Sequence, residues 1–207
     1  RGPATMTKPS SNAMLRVATG YSPARSPVRA AEQITRQDIP MTVRSHPLDR
    51  YLDTLGEGVV DWIGVRPRRR EPLMAVPRAL AVADRGLEGD HRMAKTPGSG
   101  RQVTLISAEF IDHIAAQLGA EALHPSRLRR NIVVSGINLN ALRRQQFWVG
   151  EALLEASQLC HPCARMEAEL GPGGVVAMYG YGGLCAKIIS SGDIEVGATV
   201  RWSGRSS

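Results

Sequence analysis

From Gly58 onward the apolar residues of this chain come in short bursts, and nearly every burst is closed by Gly, Pro, Asn or Asp. That punctuation limits the fold most, because runs of this length suit strands and are too short for most helices. "VVDWIGVRP" mixes β-branched and aromatic residues and stops at Pro67. "LMAVPRALAV" continues in the same style, and its Pro77 predicts an edge strand, a bulge or a break between two short strands. "RQVTLIS", "NIVVSG", "QFWVG", "ALLEAS", "LCAKIIS" and "ATVRW" bring the total to seven or eight strands. Only "SAEFIDHIAAQLG" has helical spacing: Phe110, Ile111, Ile114, Ala115 and Leu118 share a face, Ser107 is placed to cap the start and Gly119 to stop it. His113 falls off that stripe and is expected in solvent. Many strands, glycine turns and no alternating βα units predict a mainly β fold with helical insertions, a barrel or barrel-like sandwich.

The net charge of +7 raises the question of nucleic acid, and its distribution argues against it. Residues 1 to 31 hold five basic residues and no acid, which leaves 21 basic and 19 acidic residues, a net of +2, for the remainder. Two Phe, four Tyr and three Trp offer little surface for stacking bases. No apolar run approaches the length of a membrane-spanning helix, so no membrane association is expected. Three cysteines are an odd count for a secreted disulfide framework, and a reducing, cytoplasmic setting is expected. Residues 1 to 55 are read as a disordered or non-native tail, with a targeting segment as the alternative. One domain is expected over residues 56 to 203, followed by a short tail over 204 to 207.

Two of the three cysteines lie close together in "LLEASQLCHPCARMEAEL", between a predicted strand and a predicted helix. Three chemistries stay open for Cys160 and Cys163. Structural zinc needs four ligands, usually from a second pair at similar spacing, and the only other thiol is Cys185. A redox pair needs an acidified thiol. A helix dipole contributes about 0.3 to 1 kcal/mol, less than the roughly 1.36 kcal/mol of one pKa unit, and the surrounding βαβ context is missing. A thiolate ligand to a cofactor metal needs one cysteine and no prior activation, because the metal displaces the proton. It does require a pocket. "GRQ", with Arg101 and Gln102, and "SRLRRN", ending in Arg130 and Asn131, set planar guanidinium forks beside amides at the mouths of predicted strands. "GPGGVVAMYGYGG" offers backbone N–H groups to a ligand. The run Arg66, Arg68, Arg69 and Arg70 reads as a solvated loop, or as a docking patch for an acidic redox partner.

In order, "RGLEGDHR", "RQVTLIS", "RRNIVVSGINL", "FWVGEALLEAS", "LCHPCARME" and "YGYGGLCAKIISSGDIEVGATV" resemble the MOSC family, named for the C-terminal domain of molybdenum cofactor sulfurase. The resemblance covers about Gly58 to Trp202. It implies a MOSC-type β-barrel, similar to the pyruvate-kinase barrel, and a molybdenum–molybdopterin cofactor. It makes Cys163 the metal ligand and catalytic thiol, with Cys160 in support. It places Arg101, Gln102, Arg130 and Asn131 at the pterin or its phosphate, and Gly89, Asp90 and His91 in a loop that shapes the pocket. The activity implied is reduction of N-hydroxylated compounds with a flavin or iron–sulfur electron donor. The alternative is a sulfur carrier holding a persulfide on Cys163 and served by a cysteine desulfurase. The chain lacks the pyridoxal-phosphate domain of the full sulfurase and resembles a compact, stand-alone member.

Overall fold

The computed structural model describes residue 2, residues 47–95 and residues 97–204. Most of the sequence expected as a tail, with its targeting alternative, lies outside the described residues, as does 205–207. Seven strands close into a barrel in the order β11 (Thr199–Trp202), β7 (Gln146–Val149), β8 (Ala152–Leu159), β9 (Leu184–Ser190), β5 (Val103–Ser107), β6 (Ile132–Ser135) and β1 (Gly58–Val65), and β1 returns to β11. All neighbours are antiparallel except β5 and β6. A parallel pair needs a long crossover. This one carries the predicted helix, α1 (Ala108–Gln117), and a single turn, α2 (Pro125–Leu128).

Closure removes the exposed sheet edges that would otherwise pair with other chains. It also demands bending. Register breaks between Val60 and Trp62 in β1, and between Leu153 and Leu154 and between Ala156 and Gln158 in β8, supply local kinks and added twist. Beside the barrel, β2 (Met74–Ala75) extends β1, and β3 (Arg78–Val82), β4 (Gly86–Leu87) and β10 (Gly192–Glu195) form a small second sheet. Pro77 sits between β2 and β3, the break its missing N–H imposes.

Two apolar clusters hold the molecule together. One fills the barrel with inward residues such as Ile63, Leu105, Val134, Phe147 and Leu154. The other lies between the outer wall and the helices, where Ile106 and Val133 meet Ile111, Ile114, Met166 and Met178. Both faces of β5 and β6 are therefore covered, which is why their sequences read as unbroken apolar runs rather than alternating ones. The wall also receives α3 (Ala164–Leu170) and α4 (Gly174–Ala177), and Ala177 and Met178 are buried there.

Several expectations change in detail. The single convincing helix is joined by α2, α3 and α4, each too short to show periodicity. Among the described residues eleven strands are present where seven or eight were read; β4 and β10, of two and four residues, were not among those read. Ser107 stands at the N-cap of α1 without capping it. Its hydroxyl donates to Glu109, whose other oxygen accepts Gly136 N at 2.8 Å. His113 packs its ring 3.9 Å from that of Tyr181 and is not free in solvent. The fold also extends ahead of residue 56: Leu52 is buried, and Gln145 donates to Asp49 at 2.8 Å. Among the described residues no helix is long and apolar enough to cross a membrane.

Candidate functional site

β8 ends at Leu159, and the chain then turns through Cys160 to Cys163 before α3 begins. Register fixes this turn against β9: Cys160 N donates to Gly183 O at 2.7 Å. Close passage here requires glycine. At Gly183, φ is +83°, and a Cβ would lie 2.0 Å from Leu105 O. At Gly182 it would lie 2.1 Å from Cys160 O. Arg130 locks the same junction from behind. Its buried guanidinium donates to Gly182 O at 2.7 Å, Leu128 O at 2.9 Å and Cys160 O at 3.0 Å. Cys163 is the N-cap of α3 and is exposed, its carbonyl accepting Met166 N at 2.6 Å while the Met166 side chain is buried in the outer cluster. A thiol thus stands free on a backbone fixed from both sides.

In front of this turn lies a cavity of about 250 Å³ on the outer wall of the barrel. Nine of its fifteen lining residues are Arg or Lys, and none is Asp or Glu. A wall of one sign, partly shielded from water, concentrates anions. Of the nine residues expected at the cofactor site, five meet here: Cys163, Cys160, Arg101, Arg130 and His91. The other four do not line it. Asn131 is buried and saturated. Its Oδ1 accepts Thr104 Oγ1 at 2.8 Å, and its Nδ2 donates at 3.0 Å to both Gly64 O and Asp90 Oδ2. Asp90 accepts from Arg66 N at 3.1 Å and Arg92 N at 2.9 Å and so caps the 3-10 turn that carries His91. Gln102 points its Oε1 to Ile188 N at 2.7 Å. Gly89, at φ +79°, shapes the preceding turn. These four build the wall behind the cavity.

The two buried thiols form a pair. The neighbouring Cys185 thiol, reinforced by the charges of Arg130 and Arg101, outweighs burial and pulls Cys160 below the usual thiol range. Cys185 is pushed up, as the member that keeps the proton. Arg101 Nε donates to Cys185 Sγ at 3.2 Å. Cys160 and Cys185 are buried and influence each other's titration, whereas Cys163 is exposed. Among the described residues no group of three or more His, Cys, Asp or Glu side chains could hold a metal ion.

The glycine-rich segment after α3 differs from expectation. Its N–H groups at Gly173 and Val175 donate to the Glu167 carboxylate at 2.8 and 2.7 Å, so they are not open to a ligand. Conversely, Arg66, Arg69 and Arg70, read as a solvated loop or a docking patch, line the cavity, as do Arg92, Arg129 and Arg165, which had no assigned role. Arg66 looked like the start of a solvated basic run, yet it is 6% exposed. Its position ending an apolar strand, ahead of the charged run, is the signal that separates it from Arg68.

Residues 90–201 match the MOSC domain model. No significant match is found among curated proteins. Among solved structures, the chain is similar to the YuaD protein from Bacillus subtilis, with a TM-score of 0.61 and 17% identity over 73% of this chain and 98% of that one. It is also similar to YiiM from Escherichia coli (TM-score 0.55, 19% identity, 71% of this chain and 70% of that one) and to YiiM from Geobacillus stearothermophilus (0.57, 18%, 72% and 76%). These likenesses concern the fold, and they agree with the closed barrel. Since the family model spans more than half of its residues, the chain belongs to the MOSC domain family.

Proposed function

We propose that this chain binds the molybdenum cofactor in the arginine-lined cavity, with Cys163 as the protein's thiolate ligand to the metal, and reduces N-hydroxylated compounds. The observation that carries this reading is the exposed Cys163 thiol beside a cavity with nine basic side chains and no carboxylate. A soft sulfur donor next to an anion-attracting wall fits a thiophilic metal borne on a phosphorylated pterin. When bound, the cofactor supplies the two-electron chemistry at its metal. The chain's own residues hold and orient it. Cys163 offers its sulfur from a backbone fixed by α3, and Arg130 keeps the turn in place through three carbonyls. His91, whose pKa is lowered by burial against the opposing charge of Asp90, stands neutral at the wall. Overall, an N-hydroxylated nitrogen takes two electrons and two protons and releases water, the electrons coming from a separate flavin or iron–sulfur protein.

The test is elemental and pterin analysis of wild-type protein and Cys163→Ser, purified from cells able to make molybdopterin. About one molybdenum per chain is expected in the wild type and loss of it in the variant, since removing the protein's ligand removes the site's affinity. Equal metal in both would overturn the assignment of Cys163. Metal in neither would favour the sulfur carrier, whose supporting observation is the exposure of Cys163. Mass spectrometry after treatment with a cysteine desulfurase would then show the added sulfur atom.

A further inference from the structure

Buried and exposed positions divide sharply around the short helix α4. Gly174, Ala177 and Met178 are buried, while Val176 and Tyr179, three residues apart and so on one side of the turn, are 79% and 73% exposed. They are the two most exposed large hydrophobic side chains among the described residues. An apolar seat exists nearby: Tyr181, two residues on, packs its ring against Phe110 and His113, at centroid distances of 5.3 and 3.9 Å. Nor is α4 loosely attached. Glu167 fastens its start, and Gly174 fits so closely that a Cβ would lie 2.8 Å from Leu170 Cβ and 3.0 Å from Met166 O. An apolar pair held out into water on a fixed backbone marks a surface that another molecule covers.

The pair stands close to the cysteine turn. Tyr179 is three residues from Gly182, at most about 11 Å of extended chain, and Gly182 abuts the Cys160 carbonyl. Its helix is fastened to α3, whose N-cap is Cys163. Around the mouth of the cavity the outermost cations are exposed, in contrast to the buried Arg66 and Arg130. They are Arg69 and Arg70 after β1, Lys95 after the 3-10 turn and Arg165 in the first turn of α3. Among the described residues none of these four is in an ion pair. Arg68, beside Arg69, is offset by Glu71 at 3.6 Å, and the charge of Glu169 acts on Arg129. Positive charge thus outweighs negative beside an apolar spot, the make-up of a surface that steers an acidic protein in and then holds it. Two apolar side chains around a four-residue helix are too little to enter a bilayer interface, which takes a longer apolar face. They suit a protein contact with an aromatic centre and a charged rim.

We infer that Val176 and Tyr179, with the exposed cations Arg68, Arg69, Arg70 and Arg165 beside them, form the docking face for an acidic electron-donor protein carrying a flavin or an iron–sulfur cluster. The inference rests on the reductase reading above: the donor gives up two electrons for each N-hydroxylated nitrogen reduced, and it must reach the mouth beside Cys163 to deliver them. Two acidic proteins, a flavodoxin and a plant-type ferredoxin, serve as probes. Calorimetry measures their binding to wild type, to the double variant Val176→Ser/Tyr179→Ser and to Arg68→Glu, from about 0.05 to 0.5 M salt. Turnover of an amidoxime is followed with each reduced probe and with a reduced viologen dye, a small reductant that needs no docking. Wild type is expected to bind at least one probe, more weakly as salt rises. The double variant should bind about tenfold or more weakly, and Arg68→Glu should lose affinity mainly at low salt. Both should keep wild-type turnover with the dye and wild-type Tm, since the three side chains are exposed. Failure of wild type to bind either probe at low salt, salt-independent binding, or unchanged affinity in the double variant would overturn the inference. So would capture by phosphatidylserine vesicles instead of by the probes, lost in the double variant, which marks a membrane surface. Binding needs no metal, so the two readings fail separately: no turnover with the dye refutes the reductase, and no salt-dependent binding refutes the docking face.

Discussion

At Gly183 a single missing side chain decides whether the cysteine turn can sit where it does. The residue has positive φ, and a Cβ would strike the Leu105 carbonyl. Gly180 has nearly the same φ, +84°, with nothing within 4 Å of its notional Cβ. The pair separates backbone strain from steric collision. Gly180→Ala is expected to cost about 1 kcal/mol, the strain alone. Gly183→Ala should cost more than about 2 kcal/mol, since β5 and β9 must also part. Urea denaturation of the two variants gives both numbers, and equal losses would refute the steric account. Residue chemistry was only partly legible beforehand. Cys163 could be told from Cys160 only by the resemblance to the family, because the residues alone left zinc, a redox pair and a metal thiolate open for both. Asn131 and Gln102 could not be separated from ligand contacts, because an amide reads the same whether it faces a pterin or a neighbouring strand.

The helices after the cysteine turn show how an element is set by one contact. α4 has four residues and no propensity to form alone. Glu167, one turn into α3, accepts the N–H groups of Gly173 and Val175 and so fastens the start of α4 to α3. These two hydrogen bonds hold the Glu167 carboxyl below its usual value near 4.5. A carboxyl with a lowered folded pKa contributes stability that is full above the unfolded value and lost as pH falls through the folded one. Glu167→Gln should therefore flatten the acid side of the stability profile and speed amide exchange at Gly173 and Val175. Unchanged exchange at those two amides would remove Glu167 from this role. Sequence reading missed α4 because four residues carry no period, and it took the glycines for an open cradle because the carboxylate that fills it lies in another element.

The whole molecule is a barrel with a helical layer on one wall, and the site lies on that wall. Phe147, fully buried inside the barrel, touches the function only through stability. Phe147→Ala should cost about 3 to 5 kcal/mol, lowering Tm by roughly 10 °C at this size. A closed barrel cannot lose one strand locally, so circular dichroism and tryptophan fluorescence should report the same single transition. Separate transitions would show that the wall layer melts independently.

What the sequence determined by itself was the class of fold. That is a local property: strand-length apolar runs closed by turn residues. Tertiary structure decided which strands close the ring, which cysteines are buried, and which arginines face one cavity. Those outcomes depend on register between segments far apart in the chain. Cys160 is held against Gly183 because β8 and β9 pair as they do. Arg66 is buried while Arg68 pairs with Glu71 at the surface, two residues away. Charge and amphipathicity are written along the chain, but burial and the availability of a partner are properties of the packed molecule, and they turned these arginines into a candidate site.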